Sequence, residues 1–413
     1  MNKKIISSFS IFFIIFFIFF LNSCKEYDDP PLIYNPQGSN VKGPVIHSIV
    51  PSGTAVAGVR EMTIIGQNFT SGDTTWIFIG NNDSPIIKSM SDDSIVIYRP
   101  RNSGLVDIKV VVPTSIDFVS MVQNYNIEAP IDSIQAFLVG SGLPNFTVME
   151  IDKNGKYWTA ANRRIDTTTA DGLFFGIFKD RTRGLPTAFA TVTDLKFGRG
   201  GALYACVGRA DIYRISTAVA DSNKPPLVYA NLSGGTAVKF DFDDEGNIYA
   251  GGTGGLYIVS PLTDSTGTVV SSGQYTGITF IDLRVFGNYV YVADSKNLWR
   301  SSINGGTLGT PELLANLNAA NLDSCTIISF NLDIDGRVYL CLQNAASSVY
   351  VLENDNSITP FYVDNILPHN VKQILWGYNS RYLYLNRSGI NNGMRLYFIG
   401  MEKIGAPYNG RNF

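Results

Sequence analysis

Histidine is almost missing: the 413 residues contain His47 and His369 and no others. That excludes a histidine-rich zinc site, and no Ser-His-Asp arrangement has a credible base. Cysteine is scarce, limited to Cys24, Cys206, Cys325 and Cys341. Charged residues make up 16% of the chain, the net charge is −3, and no basic run occurs. The clustered positive face that nucleic acid requires is therefore absent, and no nucleic-acid partner is expected. Beyond residue 24 no long stretch repeats apolar residues at helical spacing. What remains is 45% hydrophobic, with 39 glycines, 21 tyrosines and 25 phenylalanines. Such a composition predicts strands joined by tight turns, and the length suits two or three domains.

The first residues read as a targeting signal. Lys3 and Lys4 precede an apolar run from Ile5 to Leu21, and polar chain follows at once. The run is short for a membrane span, so residues 1–23 are predicted to be a signal peptide. The tetrad Leu21-Asn22-Ser23-Cys24 resembles the bacterial lipobox, which implies lipidation of Cys24 and a membrane partner reached through the lipid. Lys25-Glu26-Tyr27-Asp28-Asp29 resembles the acidic signal that sends Bacteroidetes-type lipoproteins to the outer face of the outer membrane. Pro30, Pro31, Pro36 and Gly38 make residues 24–43 a spacer. The expected location is the outer membrane, lipid-anchored and exposed at the cell surface.

Residues 44–130 carry short alternating segments with regular turn signals. Strands are predicted near 44–50, 63–69, 75–79, 94–98, 105–112 and 124–127, which suggests a β-sandwich. The pattern I-x-x-I-x-P-x-G from Ile46 to Gly53, followed by I-x-G-x-N-F from Ile64 to Phe69, resembles the IPT/TIG family. The resemblance implies an immunoglobulin-like spacer or interaction module without catalytic residues. Its glycines depart from the family pattern: Gly53 comes one residue early and the later pair is reduced to Gly58.

Residues 131–413 contain one unit repeated six times. Its aligned aromatics are Trp158, Tyr204, Tyr249, Tyr291, Tyr339 and Tyr384. Each unit reads as strand, tight turn, second strand beginning near the aromatic, then a third and a fourth strand. Four antiparallel strands at a period near 45 (Tyr204 to Tyr249) describe a propeller blade. The unit resembles NHL and related TolB-like six-bladed propeller repeats. The predicted fold class is thus all-β: an immunoglobulin-like β-sandwich followed by a six-bladed β-propeller. Ile134–Val139 precedes the first unit and looks like a missing fourth strand, so it is expected to complete the last blade and remove a free edge.

The repeat also places side chains. In the innermost strands one alternating set is apolar: Met149/Ile151, Leu195/Phe197, Phe240/Phe242, Leu283/Val285, Phe330/Leu332 and Ile374/Trp376. The other set, including Asp194/Lys196, Lys239/Asp241 and Asp282/Arg284, is expected to face the channel as a mutually paired charge lining. Cys206 and Cys341 share one slot in blades far apart, and Cys325 is out of register with Cys341, so no disulfide is predicted.

Ligand sites on propellers usually lie on the face made by the loops between blades and the loops joining second to third strands. Those loops are expected at 161–173, 208–211, 251–255, 293–297, 343–347 and 386–394. The candidate ligand-binding residues there are Asn162, Arg163, Arg164, Asp171, Arg209, Asp294, Asn297, Asn344, Arg387 and Asn391. Their amides and guanidinium groups can hydrogen-bond sugars, carboxylates or sulfates. The expected function is non-catalytic binding of a glycan or nutrient, or adhesion to another surface protein. A metal-dependent lactonase-like hydrolase is the competing reading, with Asp194, Asp282, Asn145 and Asn370 offered as ligands. Lys196, Lys239 and Arg284 interleave with those acids, and cations beside a cation site are costly. No catalytic residue, metal or cofactor is therefore expected. Trp158, Trp299 and Trp376 fall on strand positions that look buried, which weakens sugar stacking.

Overall fold

A computed structural model of the protein describes residues 41–70, 74–80, 84–134, 146–171, 173–362, 367, 369–387 and 396–412. Cys24, the signal and the spacer up to residue 40 lie outside the described residues. Within them the chain forms two compact units: one of residues 41–53, 62–98 and 105–126, the other of residues 54–61, 99–104 and 127–412.

The sandwich consists of two four-stranded sheets. One runs Val45–Val50, Glu61–Gln67, Ser94–Tyr98, Ile87–Met90; the other runs Thr54–Val56, Val119–Glu128, Gly104–Val111, Trp76–Ile79. Alternation sets its core: Met62, Ile64, Ile77, Ile79, Ile95, Ile97, Ile108 and Val110 are buried, one face of each strand. Two strands were not anticipated, Thr54–Val56 and Ile87–Met90. The first lies between Gly53 and Gly58, both at positive φ, where the family glycine pattern is irregular.

The propeller has six four-stranded sheets, blade four carrying one short extra strand. The innermost strands are Val148–Ile151, Asp194–Gly198, Lys239–Phe242, Asp282–Phe286, Thr326–Leu332 and Gln373–Trp376. The last blade is closed by chain that precedes the first unit, but the strand that pairs antiparallel with Leu396–Gly400, the third strand of blade six, is Ile131–Ile134, which shares only Ile134 with the expected Ile134–Val139. The remainder of the expected Ile134–Val139 strand, from residue 135, lies outside the described residues.

The apolar set packs between blades. Leu195 and Phe197 cluster with Trp158 and Ala160 of the preceding blade. Phe240 and Phe242 cluster with Tyr204 and Cys206, and Phe330 and Leu332 with Tyr291 and Ala293. Cys206, Cys325 and Cys341 are buried free thiols.

The repeated aromatic has a physical reason in blades one, three and five. Asp152, Asp243 and Asp333 each start a hairpin turn and accept backbone N–H groups two and four residues on. The other carboxylate oxygen then receives the Trp158 indole N–H at 3.2 Å, the Tyr249 hydroxyl at 3.3 Å or the Tyr339 hydroxyl at 3.0 Å. One acid therefore caps the turn and holds the polar tip of the core aromatic six residues later.

Candidate functional site: the channel and its two ends

The innermost strand of a blade has one edge facing the channel, and its N–H groups there need acceptors. The expected channel residues supply them from the preceding blade of the ring. Asp194 accepts from Phe240 N at 3.0 Å, Asp241 from Val285 N at 2.9 Å, and Asp282 from Phe330 N at 3.0 Å. Ser329 accepts from Ile374 N at 3.3 Å, and the Gln373 amide both accepts from Met149 N at 3.2 Å and donates to Met149 O at 3.3 Å. These side chains stitch neighbouring blades together around the channel.

The expected charge pairing is realised in part. Arg284 donates to Asp241 at 2.5 Å, and both are buried. Lys196 lies 3.9 Å from Asp194 of its own strand rather than beside an acid of the next blade. Lys239 is half-buried, and no ion pair involves it among the described residues. The backbone N–H groups of the inner edges engage the acids that the sequence assigned to Lys239. Burial pushes the Asp194 carboxyl above its ordinary range, against the pull of Lys196 and Lys239. Lys196 is held charged beyond the usual lysine range by Asp194 and Asp241, which outweigh its own desolvation.

The end of the channel on the first-turn side is closed by a segment outside the repeat. After the last blade strand, Gly405 bridges to Asp333 and Ala406 N donates to Leu332 O at 2.9 Å. Tyr408 then enters the channel: the Arg284 guanidinium lies 3.5 Å from its ring centroid, Arg411 4.0 Å and the Lys196 ammonium 5.1 Å. Its hydroxyl accepts from the Asn331 amide at 2.5 Å. Arg411 donates to Glu150 at 2.5 Å, both groups almost fully buried, and to Trp376 O at 3.1 Å. Gly410 leaves no room for a side chain, since a Cβ there would collide with the carbonyl of Phe197. The buried channel acids Glu150, Asp194 and Asp241 are thereby matched by Lys196, Arg284 and Arg411. Sequence reasoning missed this plug; an arginine and a tyrosine in a tail with no repeat were the available signal.

The opposite end is ringed by the turns joining second to third strands. Each such turn begins level with the start of an inner strand, as the pairs Asp194↔Cys206, Lys239↔Gly251, Asp282↔Ala293 and Gln373↔Asn386 show. In blade one the expected long loop is a two-residue turn, Asn162-Arg163, with φ of 48 and 58. This is the type I′ geometry that matches strand twist. The strand Arg164–Thr168 follows directly. Arg163 donates to Leu185 O at 2.7 Å, and Arg164 pairs with buried Asp166 at 2.6 Å. Asp171 sits in the next turn, at the other end of the blade, where Ala170 approaches the Gly155 turn. It is therefore not part of this ring.

Arg209 and Asn344 are exposed on their turns. Asp294 caps its own turn through Lys296 N and Asn297 N, both at 2.7 Å, and Asn297 accepts from Asn316 at 2.6 Å. Arg387 is half-buried with its guanidinium 5.6 Å from the Tyr397 ring centroid. Asn391, like Asn145, lies outside the described residues. The structure therefore gathers Asn162, Arg163, Arg209, Asp294, Asn297, Asn344 and Arg387 on one face, together with half-buried Lys239 and Asp282 at the channel mouth.

The acids offered for a metal are engaged elsewhere. Asp194 and Asp282 each use both oxygens on backbone or hydroxyl donors, and Asn370 is an exposed loop residue at positive φ. Asp243, Asp244 and Glu245 bring carboxylates within 4.8 Å of one another, in the turn that Asp243 caps. Trp158 and Trp376 are buried as expected. Trp299 is half-buried, and Trp76 on the sandwich is 39% exposed.

Residues 44–126 match the IPT/TIG domain family. No curated protein matches the chain by sequence. Two solved structures align with 89% of this chain and 99% of their own at a TM-score of 0.50. They are an auxiliary nutrient binding protein from Bacteroides ovatus, 14% identical, and another from Bacteroides thetaiotaomicron, 11% identical. A putative gluconolactonase aligns with 67% of this chain and 94% of its own at a TM-score of 0.47 and 13% identity. The first two likenesses show the fold.

Proposed function

We propose that the chain is a cell-surface lipoprotein whose propeller binds a glycan or nutrient without catalysis, at the channel mouth ringed by the second-to-third-strand turns. The observation that carries this reading is the engagement of the channel acids. Glu150, Asp194, Asp241 and Asp282 all serve as partners to buried cations or blade edges, so these channel acids are committed to structure rather than offered as a pair for acid–base work or metal binding. With one end plugged, the mouth that carries Lys239, Arg209 and Asn344 is the accessible one. The alignment with structures described as auxiliary nutrient binding proteins supports the same reading.

The anchor follows from the resemblance of Leu21–Cys24 to a lipobox. Signal 1–23, lipidated linker 24–43, sandwich 44–130 and propeller 131–413 are the proposed boundaries. Cys24→Ala is expected to yield an unlipidated protein that no longer fractionates with membranes; persistent membrane fractionation contradicts the anchor. Glycan-array binding by the wild type, lost on Lys239→Met with Arg209→Ala, supports the mouth. An array without hits, together with specific capture of an envelope protein, favours the adhesion reading.

A further inference from the structure

Lys239 is set apart by its slot on the inner strand. Asp194, Asp282, Ser329 and Gln373 hold the equivalent position in other blades, and each accepts an N–H of the next blade's inner strand. An ammonium carries donors alone and cannot do this. The Lys239 side chain is half-buried, with neither a hydrogen bond nor an ion pair among the described residues. Its partner on the second strand is Gly251, and residues 252–255 of the turn that follows carry no charged side chain. A partly desolvated ammonium without an acceptor is costly, and here it serves no blade contact.

The turns around it share that surplus. From blade six through blade three the mouth presents Lys372, Arg387, Arg163, Arg209 and Lys239, and no ion pair involves any of them among the described residues. Backbone contacts set two pairs side by side. Lys372 N donates to Asn386 O at 2.8 Å, next to Arg387, and Arg209 bridges to Ala237, two residues before Lys239. The acids of this arc are engaged. Asp194 accepts from Leu195 N and Phe240 N and lies 3.9 Å from Lys196. Asp211 accepts from the Asn231 amide at 2.6 Å and the Tyr213 hydroxyl at 3.4 Å. On the far side of the mouth Lys296 donates to the carbonyls of Asp323 and Cys325. A chain of net charge −3 thus gathers uncompensated positive charge on one arc of its open face.

We propose that the ligand of the mouth is an anionic oligosaccharide, with acidic groups that accept from Lys239 and Arg209 on one side and from Lys372 and Arg387 on the other. This rests on the reading of the mouth as a glycan site and names the class of glycan. Cations spread over neighbouring blades suit a chain with several charges better than a single small anion. Uronate carboxylates and sugar sulfates share this chemistry.

The test is calorimetric titration of the full chain in detergent micelles with oligogalacturonate, with a sulfated carrageenan oligosaccharide and with neutral maltohexaose. At least one acidic chain is expected to bind about tenfold or more tightly than maltohexaose and to weaken steeply with added salt, and which one does so separates carboxylate from sulfate. Arg209→Glu with Lys372→Glu, both at exposed positions, is expected to abolish that binding and leave the thermal melt in place. Lys153→Glu with Lys156→Glu, the same change of net charge at the plugged end, is expected to leave the binding unchanged. Absence of saturable binding by either acidic chain, full affinity in the mouth variant, or equal loss in the plugged-end variant overturns the proposal. Maltohexaose bound as tightly as the acidic chains, and lost in the mouth variant, overturns the anionic class alone and spares the mouth as a glycan site. Glycan-array hits indifferent to the mouth variant overturn both.

Discussion

The two ends of the channel are built from the same repeat and differ in one respect. At the first-turn end a segment with no place in the repeat inserts Tyr408 and Arg411 among buried charges. At the other end Lys239 and Asp282 stay half-buried, and the turns stand open. The difference teaches where the ring's electrostatics are closed. The inner strands alone place Glu150, Asp194 and Asp241 against Lys196 and Arg284. Arg411, 261 residues from Glu150 in sequence, supplies the missing cation. The plug is thus part of the charge balance of the propeller as well as a cover over its end.

Variants that target one end at a time sharpen the contrast. Arg411→Met leaves Glu150 buried without its ion-pair partner and is expected to destabilise the propeller by about 3–5 kcal/mol in urea unfolding. Tyr408→Leu removes a ring faced by two guanidinium groups and a hydroxyl bound to Asn331, and is expected to cost about 2–3 kcal/mol by the same assay.

Alkaline pH probes the same end. Tyr204 packs against Phe242, next to Gly410, and burial raises its hydroxyl to about 12. An unfolded tyrosine ionises near 10. Between those values the native state keeps the proton that the unfolded state loses. The contribution is therefore intact below pH 10 and is lost as pH rises toward 12. Tyr204→Phe is expected to flatten that decline by at most about 1.4 kcal/mol per pH unit, read from melts across the range.

Lys239→Met at the open mouth is expected to change stability within about 0.5 kcal/mol of a surface lysine substitution. A loss of several kcal/mol there would erase the distinction between the ends.

The parts of this architecture that the sequence discloses are the local ones. The aromatic slot, the apolar alternation and the closing strand repeat at a fixed period, so Leu195/Phe197 and Phe240/Phe242 could be assigned to blade interfaces by pattern alone. The turn at Asn162-Arg163 was misread as a long loop because positive φ there is carried by asparagine and arginine rather than glycine. That error moved Asp171 to the wrong end of its blade. Lys239 was assigned an acid partner because alternating signs suggest ion pairs, whereas the inner-edge N–H groups, invisible to charge patterning, claim the acids first. The plug was not legible: residues 401–412 have no repeat, and their partners are dispersed over all six blades.

The most direct measurement is a double-mutant cycle on Glu150 and Arg411, using Glu150→Gln, Arg411→Met and the double variant in urea unfolding of the propeller. A plug integral to the ring predicts a coupling energy of at least about 2 kcal/mol, with the double variant more stable than Arg411→Met alone. Additive effects within about 0.5 kcal/mol would mean that the two groups do not meet in the folded protein, and that the channel is open at both ends.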